Sequence, residues 1–189
     1  MLFWAQTSLA AGGRLPRHRE LGVVGVSVAT AMCFVGVAVT ISSLERGSAA
    51  GFGREARAFS VVSVTAILLF AVLVAIALVN VTKPDVHKRL MLIATASLLQ
   101  AGIGRWFALF LRPPGVNPPP PVVVTVMPGI LADLLFVLGM IHDRRTRGRV
   151  HPVYWIAGGV VVAVQVLRVP LSTTSAWTRV TDCLLAVGI

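Results

Sequence analysis

Long runs without a charged side chain alternate along this chain with short clusters of charge. None occurs from Leu21 to Leu44, nor from Ala58 to Thr82. About 20 mostly apolar residues carry a helix across the hydrocarbon core of a membrane. Both runs are long enough. In lipid only helices and closed barrels satisfy the backbone polar groups, and strict period-two alternation is missing here. The pattern predicts an all-α, polytopic transmembrane helical bundle of five to seven membrane segments, forming one domain over residues 1–189.

Five full spans are expected at about 21–43, 58–82, 89–111, 122–141 and 152–171. Segments 1–12 and 172–189 are apolar but short or interrupted by charge, so each is a partial or interfacial segment. In the stretch Arg112-Pro113-Pro114-Gly115-Val116-Asn117-Pro118-Pro119-Pro120-Pro121 the proline clusters lack amide donors and end helices, which predicts an extended loop. Pro128 predicts a kink in the fourth span.

Composition agrees. The chain is 56% hydrophobic and 13% charged, against roughly 25% charged in soluble domains. The net charge of +10 would suggest nucleic acid on a soluble protein. Here the basic residues flank apolar spans, without the interleaved aromatics of a single-strand binder, so nucleic acid is excluded as a partner. The basic residues instead set orientation. Arg14, Arg17, Arg19, Lys83, Lys88, Arg89, Arg144, Arg145, Arg147 and Arg149 fall on one side, and Arg46, Arg54, Arg57, Arg112 and Arg179 on the other. The richer side is cytoplasmic by the positive-inside rule. Loops 13–20, 83–89 and 142–151 therefore face the cytoplasm, and the proline loop faces outward. The apolar N-terminus has no basic region before it and is not a standard secretory signal. Cys33 and Cys183 form no CxxC pair and read as packing residues.

The histidines are the first candidate chemistry. His18, His87 and His151 each precede a span at the cytoplasmic side, and His142 ends one. His18-Arg19-Glu20-Leu21 aligns with His87-Lys88-Arg89-Leu90, each with a proline just upstream (Pro16, Pro84), which suggests a weak repeat of helical hairpins. Neutral imidazoles on facing helices can bind haem iron or a metal. His18 and His87 are the favoured pair, and haem b is the cofactor that reading implies. The competing reading is that interfacial histidines anchor helix ends, and no CxxCH motif for covalent haem is present.

Charges inside the spans are the second candidate. Arg105, Asp133 and Arg168 are costly in hydrocarbon and should face the bundle interior or pair with one another. Arg105 lies in the outer half of its span and Asp133 near the middle, a depth gap of roughly 6 Å that an arginine can bridge. The expected pair is Asp133 with Arg105, with Arg168 as the competing partner. Gln100 and Gln165 add polar groups on the same two arginine-bearing helices. Such a centre serves either as a substrate or proton site or as an interhelical clamp. Gly22, Gly25, Ala29, Gly36, Gly102, Gly104, Gly158 and Gly159 are expected to let helices approach closely. No phosphate loop, nucleophile elbow or zincin motif is present, so no hydrolase constellation is visible.

One set of segments comprises Leu2-Phe3-Trp4-Ala5-Gln6-Thr7, Arg17-His18-Arg19-Glu20-Leu21-Gly22 and His87-Lys88-Arg89-Leu90-Met91-Leu92-Ile93-Ala94-Thr95. Ala132-Asp133-Leu134, His142-Asp143, Arg147-Gly148-Arg149-Val150-His151-Pro152 and Arg168 complete the set. Together they resemble a family of uncharacterised bacterial inner-membrane proteins. The HKRLM-type motif is the most specific part. The resemblance implies a multi-helix membrane protein without an assigned activity. Members carry a longer first helix with an upstream His-Gly pair, so this chain looks short at its N-terminus. The pattern of histidines at helix ends is also loosely similar to haem proteins of the cytochrome b561 type.

The functional expectation is an integral protein of the bacterial inner membrane with a non-enzymatic role. It has the lipid bilayer as its partner and is compatible with a homo-oligomer. The alternatives are a b-type haem or metal-binding electron-transfer protein and a small-solute or proton-coupled transporter.

Overall fold

The computed structural model describes residues 2–111, 115 and 118–187. Met1 and residues 112–114, 116–117 and 188–189 lie outside the described residues, so part of the expected proline loop does too. Seven α-helices form, with no strand among the described residues: α1 Leu2–Ala11, α2 Leu15–Ala49, α3 Gly53–Val79, α4 Pro84–Leu111, α5 Val126–Arg147, α6 Gly159–Leu171 and α7 Ser175–Val187. A 3-10 turn, Val122–Thr125, leads into α5, and a π-helical turn, Tyr154–Gly158, leads into α6. Five of these elements are long and apolar enough to cross a membrane: α2, α3, α4, α5 with its 3-10 turn, and α6 with its π turn.

The helices outrun the charge-free runs at their ends. α4 starts at Pro84, so Lys88 and Arg89 are helical residues and no longer loop residues. The reason is local. Proline at the first position of a helix sacrifices no hydrogen bond, and Asp85 in the first turn suits the positive end of the helix dipole. Pro128 does not kink α5. It falls in the first turn, where its missing N–H would have had no partner. Gly148 closes α5 with a left-handed φ of 71° and donates its N–H to the Arg144 carbonyl at 3.1 Å.

Successive long helices pack antiparallel. Gly47 faces Ala56 across α2 and α3, while Arg89 meets Asp143 and Gln100 meets Thr125 at opposite ends of the α4–α5 pair. The core joins α3, α4, α5, the π turn and α6 around Phe70, Leu73, Ile93, Phe136, Tyr154 and Val161. α2 flanks it, packing Ala29 and Cys33 against it and fully burying only Thr40 and Leu44. Its remaining Val and Phe side chains face outward, as lipid-facing residues do when the surrounding solvent is as apolar as they are.

α7 is a collar at one end of the bundle. Trp177 is buried, its indole N–H donates to the Arg57 carbonyl at 2.8 Å, and Thr181 and Asp182 both hold the Arg57 guanidinium. These contacts, a full turn apart on α7, all converge on Arg57 in the opening turns of α3.

Candidate functional site

Two buried polar networks lie in the bundle, and they are built differently. The first ties the start of α4 to the end of α5. Arg89 is 1% exposed. Its Nε donates to Asp143 Oδ2 at 2.8 Å and its Nη2 to Asp143 Oδ1 at 2.5 Å. Its Nη1 donates to the Asp85 carbonyl at 2.5 Å and to Asp85 Oδ1 at 3.2 Å. Lys88 and Arg147 complete the shell around Asp85 at 2.9 and 2.7 Å. The His151 backbone N–H donates to Asp143 Oδ2 at 3.3 Å, and the Tyr154 ring stacks 5.8 Å below the Arg89 guanidinium. The pairing is bidentate and charge-neutralised, the strongest geometry available to an arginine. Gly139 makes room for it, since a Cβ there would collide with the Tyr154 hydroxyl and lie 2.9 Å from Leu92.

The second network crosses the middle of the bundle on four helices. Arg168, 2% exposed, donates from Nε to Thr65 Oγ1 at 2.6 Å and from Nη1 to Gln100 Oε1 at 2.8 Å. Gln100 in turn donates to the Thr125 carbonyl at 3.0 Å. Asp133, 8% exposed, accepts at Oδ1 from Gln165 Nε2 at 3.1 Å. Gly129 allows the two amides to converge, because a Cβ there would lie 2.9 Å from Gln165 Oε1 and 3.4 Å from Gln100 Nε2. Asp133 and Arg168 thus share one amide-lined centre, yet no ion pair joins them among the described residues. Arg168 Nη2 and Asp133 Oδ2 make no hydrogen bond among the described residues.

The expected Asp133–Arg105 pair does not form. Arg105 is exposed and holds no ion pair among the described residues. Helical phase explains this. Gln100 faces the core, and five residues further along a helix turns by about 140°, which carries Arg105 to the outer surface. Arg168, the competing partner, is the arginine drawn into the Asp133 centre.

The histidines separate into two kinds. His87 Nδ1 lies 2.8 Å from the Ala77 carbonyl, and His18 Nδ1 lies 3.2 Å from the Gln6 carbonyl. A carbonyl only accepts, so each Nδ1 is the donor in its contact. In both hairpins the histidine at the start of the second helix bonds back to a carbonyl of the first, mid-helix at Gln6 and in the last turn at Ala77, which gives the short sequence repeat a physical meaning. His151 is the opposite tautomer, because its Nδ1 accepts from the Val153 N–H at 3.3 Å. Burial, and after it the nearby Arg89 guanidinium, hold its imidazole below the ordinary value. His142 is exposed. α2 and α4, which carry His18 and His87, each pack along α3 and not along one another. Among the described residues no group of three or more His, Cys, Asp or Glu could hold a metal ion.

Sequence reasoning missed Arg89 and Asp143 as a pair, reading both as loop charges. The available signals were Pro84-Asp85 as a helix start and the four-residue spacing from Asp85 to Arg89. Thr65, a neutral residue inside an apolar run, offered no such signal. No protein family, curated protein or solved structure matches the chain.

Proposed function

We propose that this chain is a non-enzymatic multi-pass protein of the bacterial inner membrane, with loops 13–20, 83–89 and 142–151 in the cytoplasm. Its working centre is the Asp133–Gln165 and Gln100–Arg168 network, which handles a small polar solute or a proton at mid-membrane. One observation carries the reading: two opposite charges are buried in one amide-lined centre and are held apart. A clamp gains most when it pairs its charges directly, as Arg89 and Asp143 do in this same protein. The second network instead keeps a spare guanidinium nitrogen and a spare carboxylate oxygen. Ionisable groups within membrane spans are rare and commonly mark substrate and proton pathways.

The test is a melting-shift screen of purified protein against small anions, zwitterions and alkali cations, repeated on Asp133→Asn and Arg168→Gln. At least one compound should raise the melting midpoint of the native protein and of neither variant. A network that only braces the bundle would answer to no compound, while both variants still melted earlier. That outcome removes the reading.

One observation favours haem b at His18 and His87 as a second reading. Their Nδ1–H groups are anchored to backbone carbonyls, a contact that fixes the ring orientation of a ligating imidazole. The separate packing of α2 and α4 along α3 weighs against one shared site. An absorption spectrum decides: a Soret band lost in His87→Ala supports haem, and a flat spectrum from folded protein removes it.

A further inference from the structure

The end of the bundle that carries Arg89 holds more cations than its acids can neutralise. Asp143 is committed to Arg89, and Asp85 to Lys88, Arg89 and Arg147. Arg144 and Arg145, in the last turn of α5, are exposed and form no ion pair among the described residues. They are not needed to cap their own helix, because Gly148 already donates to the Arg144 carbonyl.

The surface beneath them is apolar and continuous. Leu134, Leu138 and Ile141 form a stripe at helical spacing, 49, 62 and 43% exposed. Arg144 and Arg145 follow Ile141 by three and four residues and so sit one turn above it, at the head of the stripe. From Leu134 to Arg145 the helix rises about 16 Å, which matches half of a hydrocarbon core roughly 30 Å thick. An acyl chain laid along the stripe would bring its phosphate to the level of the two guanidinium groups. Guanidinium forks match phosphate oxygens, and two uncompensated cations favour a headgroup with net negative charge over a zwitterionic one.

We infer that Arg144 and Arg145, with the Leu134–Leu138–Ile141 stripe, form a binding site for an anionic phospholipid. The site depends neither on the solute reading of the Asp133 centre nor on which side of the membrane it faces.

The experiment uses full-length protein in phosphatidylcholine–detergent micelles. Phosphatidylglycerol, further phosphatidylcholine or inorganic phosphate is added, and melting midpoints and lipid adducts in native mass spectra are read. Phosphatidylglycerol should raise the midpoint and persist as an adduct. The double variant Arg144→Gln/Arg145→Gln should lose both effects while melting unchanged in phosphatidylcholine. Arg17→Gln/Arg19→Gln, which removes the same charge elsewhere on this end, should keep both. The site is overturned if inorganic phosphate gives the same rise, if the Arg17/Arg19 variant loses as much, or if the Arg144/Arg145 variant loses nothing.

Discussion

Arginines in this chain differ in consequence according to what they meet, and charge alone does not rank them. Arg89 is buried and held by two carboxylates. Replacing it with Met leaves Asp143 buried without its partner, which costs about 3–5 kcal/mol. Arg105 is exposed and unpaired among the described residues, so Arg105→Ala should fall within about 0.5 kcal/mol of the parent. Denaturant titration in micelles measures both, and equal losses would refute the assignment of the two arginines. His151 adds a pH dependence with a defined sign. Its imidazole is held below the ordinary value of about 6.5, so the folded state resists protonation. The stability tied to the neutral ring is present above that ordinary value and is lost as pH falls from there through the lower folded value. The melting midpoint should therefore drop on acidification below about pH 6.5, and His151→Gln should reduce that drop. An unchanged slope in the variant would assign it to another group.

Elements carry information that individual residues do not. The hairpins α1–α2 and α3–α4 share a histidine staple, while the α5–α6 hairpin is joined through Asp143, His151 and the π turn. The π turn has no sequence signature in Tyr154-Trp155-Ile156-Ala157-Gly158 that composition could reveal. It arises where Tyr154 is pinned over Gly139 and under Arg89 while Gly158 packs on Phe136. One extra residue in a turn changes the phase of everything after it, including Gln165 and Arg168. The amphipathic α7 is tied down at Arg57 through Trp177. Trp177→Ala should release α7, seen as faster amide exchange over 175–187 with α4 and α5 unchanged. Exchange that rises equally across the bundle would show instead that α7 is integral to the core.

Over the whole molecule, the turns after α1, α3 and α5 share one end of the bundle with the paired Arg89 cluster, and α7 closes the other. In a cysteine-free background, the proposed orientation predicts that Arg145→Cys reacts with a membrane-impermeant maleimide only after the membrane is permeabilised. Thr173→Cys should react without permeabilisation. The reverse pattern would invert the proposed orientation. Helix class and the approximate spans were legible without coordinates, because the requirement to satisfy every backbone polar group in lipid acts on local composition. So were Asp133 and Arg168 as residues of interest, since a charge inside an apolar run is visible wherever its partner lies. The choice of partner was not legible. It depends on helix ends that move by a few residues, on a π turn that resets helical phase, and on glycines at 129 and 139 that let side chains converge. Each of these changes rotation about a helix axis while leaving depth along it nearly the same. Sequence by itself determined that Arg105, Asp133 and Arg168 lie within apolar spans, because a charge stands out in such a run; only the tertiary structure decided which way each side chain faces, and therefore that Arg89 is clamped, Arg105 is outside, and Asp133 and Arg168 share a centre without pairing.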